Sequence, residues 1–277
     1  MYSINCRGRL VSLEEPLVMG ILNATPDSFY EGHLDTGVAG MLNLATTMLE
    51  EGAAILDIGG LSTRPGSKPV PEEEEQARVI PVISAILDKH PQAILSIDTY
   101  RSSVAEAAIK AGAHIVNDIS GGDLDTRMLE TVARLGVPYI CMHMKGTPET
   151  MQQDPVYMDV TRDVFDFFIA RVEACEHAGI HDVIIDPGFG FGKTISHNFQ
   201  LLKRLSVLSA LRRPILVGLS RKSTIYKTLG VTAAEALIGT TTLHTMALLN
   251  GASILRVHDV KEARESIALY MAYKKAP

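Results

Sequence analysis

Short apolar runs recur along the chain, each followed by a longer stretch with helical spacing of apolar residues. The runs are LVMGILN (17–23), AAILDIGG (53–60), AILSIDT (93–99), HIVNDIS (114–120), PYICMHM (138–144), DVIIDPG (182–188), PILVGLS (214–220) and ASILRVHD (252–259). Near-continuous apolar runs of this kind suit strands buried on both faces of a parallel sheet. The intervening stretches predict helices over 37–51, 72–89, 101–111, 125–135, 156–178, 197–212, 232–250 and 261–273. Many of them end at a glycine, as at Gly52, Gly112, Gly136, Gly179 and Gly251, where a left-handed cap stops a helix. Eight βα units in one chain predict an α/β fold of the (β/α)8 TIM-barrel type. The competing architecture is a doubly wound open sheet, which more often shows fewer units and a G-x-G-x-x-G turn. Residues 1–16 precede the first unit and read as a short N-terminal extension, a candidate hairpin closing the bottom of the barrel. No linker or low-complexity stretch divides residues 1–277, so one domain is expected.

Composition narrows the function. The 277 residues are 46% hydrophobic, enough for a sizeable core. The net charge of -6 argues against nucleic acid as a partner, while leaving room for a local basic pocket. Cys6, Cys141 and Cys175 are odd in number and widely spaced; they match neither a disulfide framework nor a zinc pattern and suggest a reducing, cytoplasmic setting. The opening MYSINCRGRL has no long apolar run, so no secretory signal is expected. No apolar run approaches the roughly 18 residues of a membrane span, so no membrane partner is expected either.

Each apolar run ends in polar residues: Asn23, Asp57, Asp98, Asn117 with Asp118, His143, Asp186, Ser220 through Lys222, and Arg256 with His258. A buried strand gains nothing from a terminal carboxylate unless something pairs with it. In a TIM barrel these ends build the active site. Arg256 and His258 are two apart and share a face, as do Gly218, Ser220 and Lys222 if their strand persists that far. A mouth holding Lys222, Arg256 and His258 suits a phosphate or diphosphate. Asp98, Asn117 and Asp186 suit a flat heterocycle with an amino-pyrimidinone edge, because carboxylates accept its N–H groups and the amide both donates and accepts. Blander readings stand beside these. A strand-end aspartate can be a helix N-cap. His143 reads as a core histidine, Asp57 as a brace for loops, and Glu72–Glu75 as a solvated acidic helix start.

The run DPGFGFGKT (186–194) resembles a phosphate loop but misses it by one residue. The P-loop pattern needs a glycine where Pro187 stands, and the dinucleotide pattern needs one at Lys193. No His, Cys, Asp or Glu cluster has metal-ligand spacing, so a dedicated zinc cage is not expected. Magnesium held mainly by substrate phosphates needs only one or two protein ligands and stays open.

Taken together, MGILNATPDSF (19–29), DIGGLSTRPGS (57–67), SIDTYR (96–101), NDISGG (117–122), MHMKGTP (142–148), DPGFGFGKT, GLSRKS (218–223) and RVHDV (256–260) resemble the dihydropteroate synthase family. The resemblance is in order and touches every expected strand. It implies condensation of 6-hydroxymethyl-7,8-dihydropterin diphosphate with 4-aminobenzoate, giving dihydropteroate and diphosphate, in a cytoplasmic homodimer. It implies a pterin site of Asp98, Asn117, Ile119, Met142, Asp186, Gly218 and Lys222. Asn23, Arg256 and His258 would hold the diphosphate, with Asn23 as a Mg²⁺ ligand. Phe29, Ser62, Thr63, Arg64, Pro65, Phe191, Ser220 and Lys222 would shape the aminobenzoate pocket. Asn23, Asp98, Lys222, Arg256 and His258 would carry catalysis, and loops 24–36 and 61–71 would act as lids. After TPDSF the family usually reads Ser-Asp-Gly-Gly; here Tyr30-Glu31-Gly32-His33 keeps the carboxylate on a longer arm. Two rivals are a pterin-dependent methyltransferase domain and a non-catalytic pterin binder. The first would not need STRPG and SRK, and the second would not need Asn23, Arg256 and His258.

Overall fold

The computed structural model describes residues 2–24, 37–61, 70–148, 150–151 and 155–277. Strands β1 (Ser3–Cys6) and β2 (Arg9–Ser12) pair antiparallel as a hairpin. The repeating units follow: β3 (Leu17–Asn23), α1 (Val38–Glu50), β4 (Ile55–Gly59), α2 (Glu72–Lys89), β5 (Leu95–Asp98), α3 (Ser102–Lys110), β6 (Ile115–Asp118), α4 (Met128–Leu135), β7 (Tyr139–Met142), α5 (Val160–Ala178), β8 (Val183–Asp186) and α6 (Ile195–Lys203). A short 3-10 turn, Leu205–Leu211, leads to β9 (Leu216–Val217), α7 (Ser223–Leu229), α8 (Leu237–Leu249), β10 (Ile254–Val257) and α9 (Val260–Lys275). Strands β3 to β10 form one parallel sheet in the order β8-β7-β6-β5-β4-β3-β10-β9. The parallel bridge between Ile185 and Ile215 joins its two edges, and Ile185 N–H donates to Pro214 O at 3.0 Å. The result is a nearly closed eight-stranded barrel with helices between the strands.

The pattern of eight strands is as expected, with differences around the sixth and seventh units. The helix expected over 197–212 is α6 followed by the 3-10 turn. Strand β9 has only two residues and does not carry on to Ser220 or Lys222. Before the expected helix at 232–250 there is an extra short one, α7, which Gly230 stops with φ 69°. Lys222 is therefore the residue capping α7, not a strand position.

Two apolar layers hold the barrel together. The larger lies between the sheet and the helices. The smaller fills the interior at the N-terminal ends of the strands: Met19, Ile55, Ile94, Ile115, Ile140, Ile184, Leu216 and Ile254, packed with Ile4, Cys6 and Leu13 of the hairpin region. The hairpin thus covers the bottom, and Asn5 N–H donates to the Asp182 carboxylate at 2.9 Å. This plug sets up the site. Side chains alternate along a strand, so residues two further on point to the same interior. Those residues are Ile21, Asp57, Ser96, Asn117, Met142, Asp186, Gly218 and Arg256. A floor of aliphatic side chains therefore carries a largely polar layer directly above it.

Candidate active site at the C-terminal mouth of the barrel

Arg256 is the hub of the polar layer. Its Nε donates to Asp57 at 2.6 Å and its Nη2 to Asp98 at 2.6 Å. Asn117 Nδ2 donates to the same Asp57 oxygen at 2.8 Å. Four strands are tied together here, β4, β5, β6 and β10. Asp57 is fully buried, and its role is to hold Arg256 and Asn117 in place, in line with its reading as a brace. Burial opposes the charge on Arg256, but Asp57 and Asp98 hold the guanidinium protonated. Burial also pushes the Asp98 carboxyl up to about 7, despite the guanidinium beside it.

Asp186 and Lys222 form the other side of the mouth. Asp186 is buried at the end of β8 and accepts the Gly188 N–H at 2.8 Å. Burial raises its pKa, opposed first by the charge of Lys222. Lys222 reaches in from the start of α7, and burial lowers it to about 8 while Asp186 favours its charge. Its Nζ donates to Phe189 O at 2.6 Å and lies 4.7 Å from the centre of the Phe191 ring. A β-carbon added at Gly218 would stand 3.7 Å from that ammonium, so Gly218 borders it without a side chain. Met142 and Ile119 are buried, and Met142 lies close to Gly188. Ser220 Oγ pairs with His258 Nδ1 at 3.0 Å and accepts the His258 N–H at 3.2 Å, which joins two expected subsites. His258 itself is exposed at the rim, just past β10. Asn23 ends β3; a β-carbon on Gly59 would sit 3.8 Å from both Asn23 Oδ1 and Asp98 Oδ2, so these two oxygens flank the same spot.

The mouth differs from the expected one in charge. Arg256 is already paired with two carboxylates, so the pocket is a balanced acid–base array rather than a positive bowl. Asp98, Asn117, Asp186, Lys222 and Arg256 converge, with Asn23, Ser220 and His258 around them. Phe29, Ser62, Thr63, Arg64 and Pro65 lie outside the described residues, as do Glu31 and His33.

Some residues have roles that the sequence reading missed. Glu75 is not solvated: it is fully buried and takes Arg101 Nη1 at 2.7 Å, while Arg101 Nη2 donates to Val70 O at 2.7 Å. The clue was helical spacing, since Glu75 shares the buried stripe of Val79, Val82, Ile83 and Ile86. Asp118 accepts from Ser120, Gly122 and the Tyr139 hydroxyl and organises the loop after β6. His143 is buried, as expected, and is paired with Lys193.

The loop after β8 explains the glycines of DPGFGFGKT. A β-carbon at Gly188 would fall 1.9 Å from His143 O, and φ there is 68°. Only glycine fits such an approach in such a conformation. Thr194 then caps α6 in a capping box with His197.

The barrel and its mouth define an enzyme with a site for a small polar ligand at the C-terminal ends of the strands. The family described as "Pterin binding enzyme" matches residues 19–258. Dihydropteroate synthase of Escherichia coli strain K12 is 44% identical over 268 residues, covering 96% of this chain and 94% of that protein. Among solved structures, Xanthomonas albilineans dihydropteroate synthase with 4-aminobenzoic acid is 41% identical, with a TM-score of 0.93 over 99% of both chains. The same organism's enzyme in complex with 7,8-dihydropteroate is 39% identical, with a TM-score of 0.90 over 100% of both. The chain belongs to the dihydropteroate synthase family of pterin-binding enzymes.

Proposed function

We propose that the protein condenses 6-hydroxymethyl-7,8-dihydropterin diphosphate with 4-aminobenzoate to give 7,8-dihydropteroate and diphosphate, for folate synthesis. The observation that carries this is the meeting of Asp98, Asn117 and Asp186 with Lys222 and Arg256 in one mouth. The relatives with bound 4-aminobenzoic acid and 7,8-dihydropteroate support the same pair of substrate and product.

The pterin lies on the polar layer, with Met142, Ile119 and Gly218 shaping its slot. Asp186 and Asp98 accept from its amino-pyrimidinone edge, and Asn117, held by Asp57, donates and accepts. His258 at the rim, with Asn23 and the outer side of Arg256, takes the diphosphate. The bond between the pterin methylene and the diphosphate oxygen breaks, and the electron pair leaves with diphosphate. The amine nitrogen of 4-aminobenzoate then bonds to the methylene and loses one proton. The carboxylates of Asp98 and Asp186 favour the positive charge that develops on the pterin. Such a substitution needs no enzyme nucleophile, in keeping with a mouth built from acceptors and cations. The aminobenzoate pocket is assigned to Phe191, Ser220 and Lys222, together with Phe29, Ser62, Thr63, Arg64 and Pro65.

Magnesium fits this site as an ion shared with the substrate. Asn23 Oδ1 is a hard oxygen donor beside the Asp98 carboxylate, and among the described residues no group of three or more His, Cys, Asp or Glu could hold a metal. Asn23 would be the protein ligand. When bound, Mg²⁺ would neutralise charge on the leaving diphosphate.

Incubation of the purified protein with Mg²⁺, pterin diphosphate and 4-aminobenzoate should release diphosphate and form dihydropteroate, read by chromatography. Methyl transfer from methyltetrahydrofolate without condensation would refute the assignment.

A homodimer is part of the proposal. Ile238, Met246 and Leu249 of α8 and Leu269 and Tyr273 of the adjacent α9 are exposed, which is a large apolar area to leave in water. Light scattering should give about twice the chain mass of 30.0 kDa, and Leu269→Glu should lower it. A wild-type mass of one chain would contradict the dimer. The three cysteines, all free and buried, support a reducing, cytoplasmic setting.

A further inference from the structure

The loop leaving β8 contains one charged group that takes no part in the scheme above. Lys193 is the lysine of DPGFGFGKT, and only 3% of it is exposed. An ammonium has three N–H donors and no acceptor. Lys193 Nζ lies 2.9 Å from Gly188 O, 3.0 Å from Phe191 O and 2.9 Å from His143 Nδ1. These three acceptors take its three protons; His143 O is a longer fourth neighbour at 3.3 Å. None is left for a phosphate. Burial lowers Lys193 to about 7 while Asp186 favours its charge, and burial, then the Lys193 charge, push the His143 imidazole down to about 2, so a neutral ring can accept at Nδ1 from the protonated lysine.

A second ammonium holds the same loop from the substrate side, where Lys222 Nζ donates to Phe189 O and stands over the Phe191 ring. Three carbonyls of the loop are thus divided between two lysines, those of Gly188 and Phe191 to the inner one and that of Phe189 to the outer one. Phe191 is held at its carbonyl by Lys193 and met at its ring by Lys222. An apolar side chain in place of Lys193 would leave the Phe191 carbonyl and the His143 imidazole without this donor, and Gly188 O with the Phe191 N–H at 3.1 Å alone. Unpaired buried acceptors are costly, so the loop would shift to find partners.

We propose that Lys193, seated against His143, is a positioning residue that fixes the Phe191 ring and the Lys222 ammonium and thereby sets the affinity for the arylamine substrate. This rests on the assignment of Phe191 and Lys222 to the aminobenzoate pocket. Lys193 touches no substrate; it acts through the loop.

Steady-state kinetics of Lys193→Met test it, with Phe191→Ala measured in parallel. A displacement of about 1 Å in a site can cost about 100-fold, so the KM for 4-aminobenzoate should rise roughly 10- to 100-fold. The affinity for a bare pterin, read by calorimetry, should fall by much less, because Lys222 borders both substrates but Asp186 is held by β8. The His143 pair gives a second route should Lys193→Met fail to fold. His143→Asn keeps an acceptor near the Nδ1 position and should restore near-normal kinetics, whereas His143→Leu should raise the aminobenzoate KM. An unchanged aminobenzoate KM in Lys193→Met or His143→Leu, with a raised one in Phe191→Ala, would overturn the proposal. So would equal losses for both substrates, which mark a general loss of structure. If Phe191→Ala itself leaves the aminobenzoate KM unchanged, the pocket assignment is wrong and the proposal falls with it.

Discussion

Arg256→Met will destabilise the folded protein by about 3–5 kcal/mol, the cost of leaving a buried carboxylate without its partner. Two carboxylates are at stake. Among the described residues, fully buried Asp57 keeps only its bond from Asn117, and Asp98 loses the guanidinium that favours its charge. The loss has a pH signature. Asp98 already titrates at about 7 in the folded protein, against an ordinary value of 3.8. A carboxyl raised on folding binds its proton more tightly in the folded state, so its contribution to stability falls as pH rises from the ordinary value to the folded one. Without Arg256 the folded value moves above 7, and the falling window extends with it. The destabilisation should therefore be larger at about pH 9 than at about pH 6. Urea denaturation of wild type and variant at the two pH values checks this. A difference that is constant with pH would mean that Arg256 does not hold Asp98. Pterin affinity follows the same sign, because a protonated Asp98 is a poorer acceptor, and its acid limb should move to higher pH in the variant.

Asp186→Asn should weaken pterin binding by about 1.5–3 kcal/mol, the usual worth of a hydrogen bond to a charged group. That is roughly a 10- to 150-fold loss of affinity. Asparagine keeps the size of the side chain and an oxygen for the Gly188 N–H, so the loop after β8 should hold. What it loses is the negative charge and one acceptor, since its Nδ2 would face the donors of the pterin edge. Asp186→Ala removes the Gly188 contact as well and should cost more. Lysine at 222 also loses the carboxylate that favours its charge against burial, so it should release its proton more readily in either variant.

Much of this site was legible in the sequence because a strand repeats every two residues. An aliphatic at Ile55, Ile115, Ile184 or Ile254 fixes the inward face, and Asp57, Asn117, Asp186 or Arg256 then follows on that face. The hidden part is pairing across the barrel. Asp57 and Arg256 are 199 residues apart, and no local pattern tells that Nε and Nη2 of the guanidinium are held by two carboxylates, which leaves its outer side for an anion. Lys222 was legible as a residue but not as geometry: β9 stops at Val217, and a long side chain from the start of α7 does the reaching. Helix α7 was missed because seven residues between Lys222 and Gly230 are too few to show a helical period. Glu75 was misread because four successive glutamates look like a solvated helix start, while the stripe through Val79 and Ile83 buries one of them. For Lys193 the sequence spoke against a phosphate loop but gave no other role, and only the carbonyls around it show where its protons go.

The reading of the heterocycle edge by Asp186 is central to the function proposed, and calorimetric titration of a bare pterin into wild type and Asp186→Asn tests it most directly. Binding to the wild type, with an affinity lowered by roughly 10- to 150-fold in the variant and an unchanged thermal unfolding profile, is the result expected. Equal affinity of the two proteins for the pterin would show that the carboxylate at the end of β8 does not touch it.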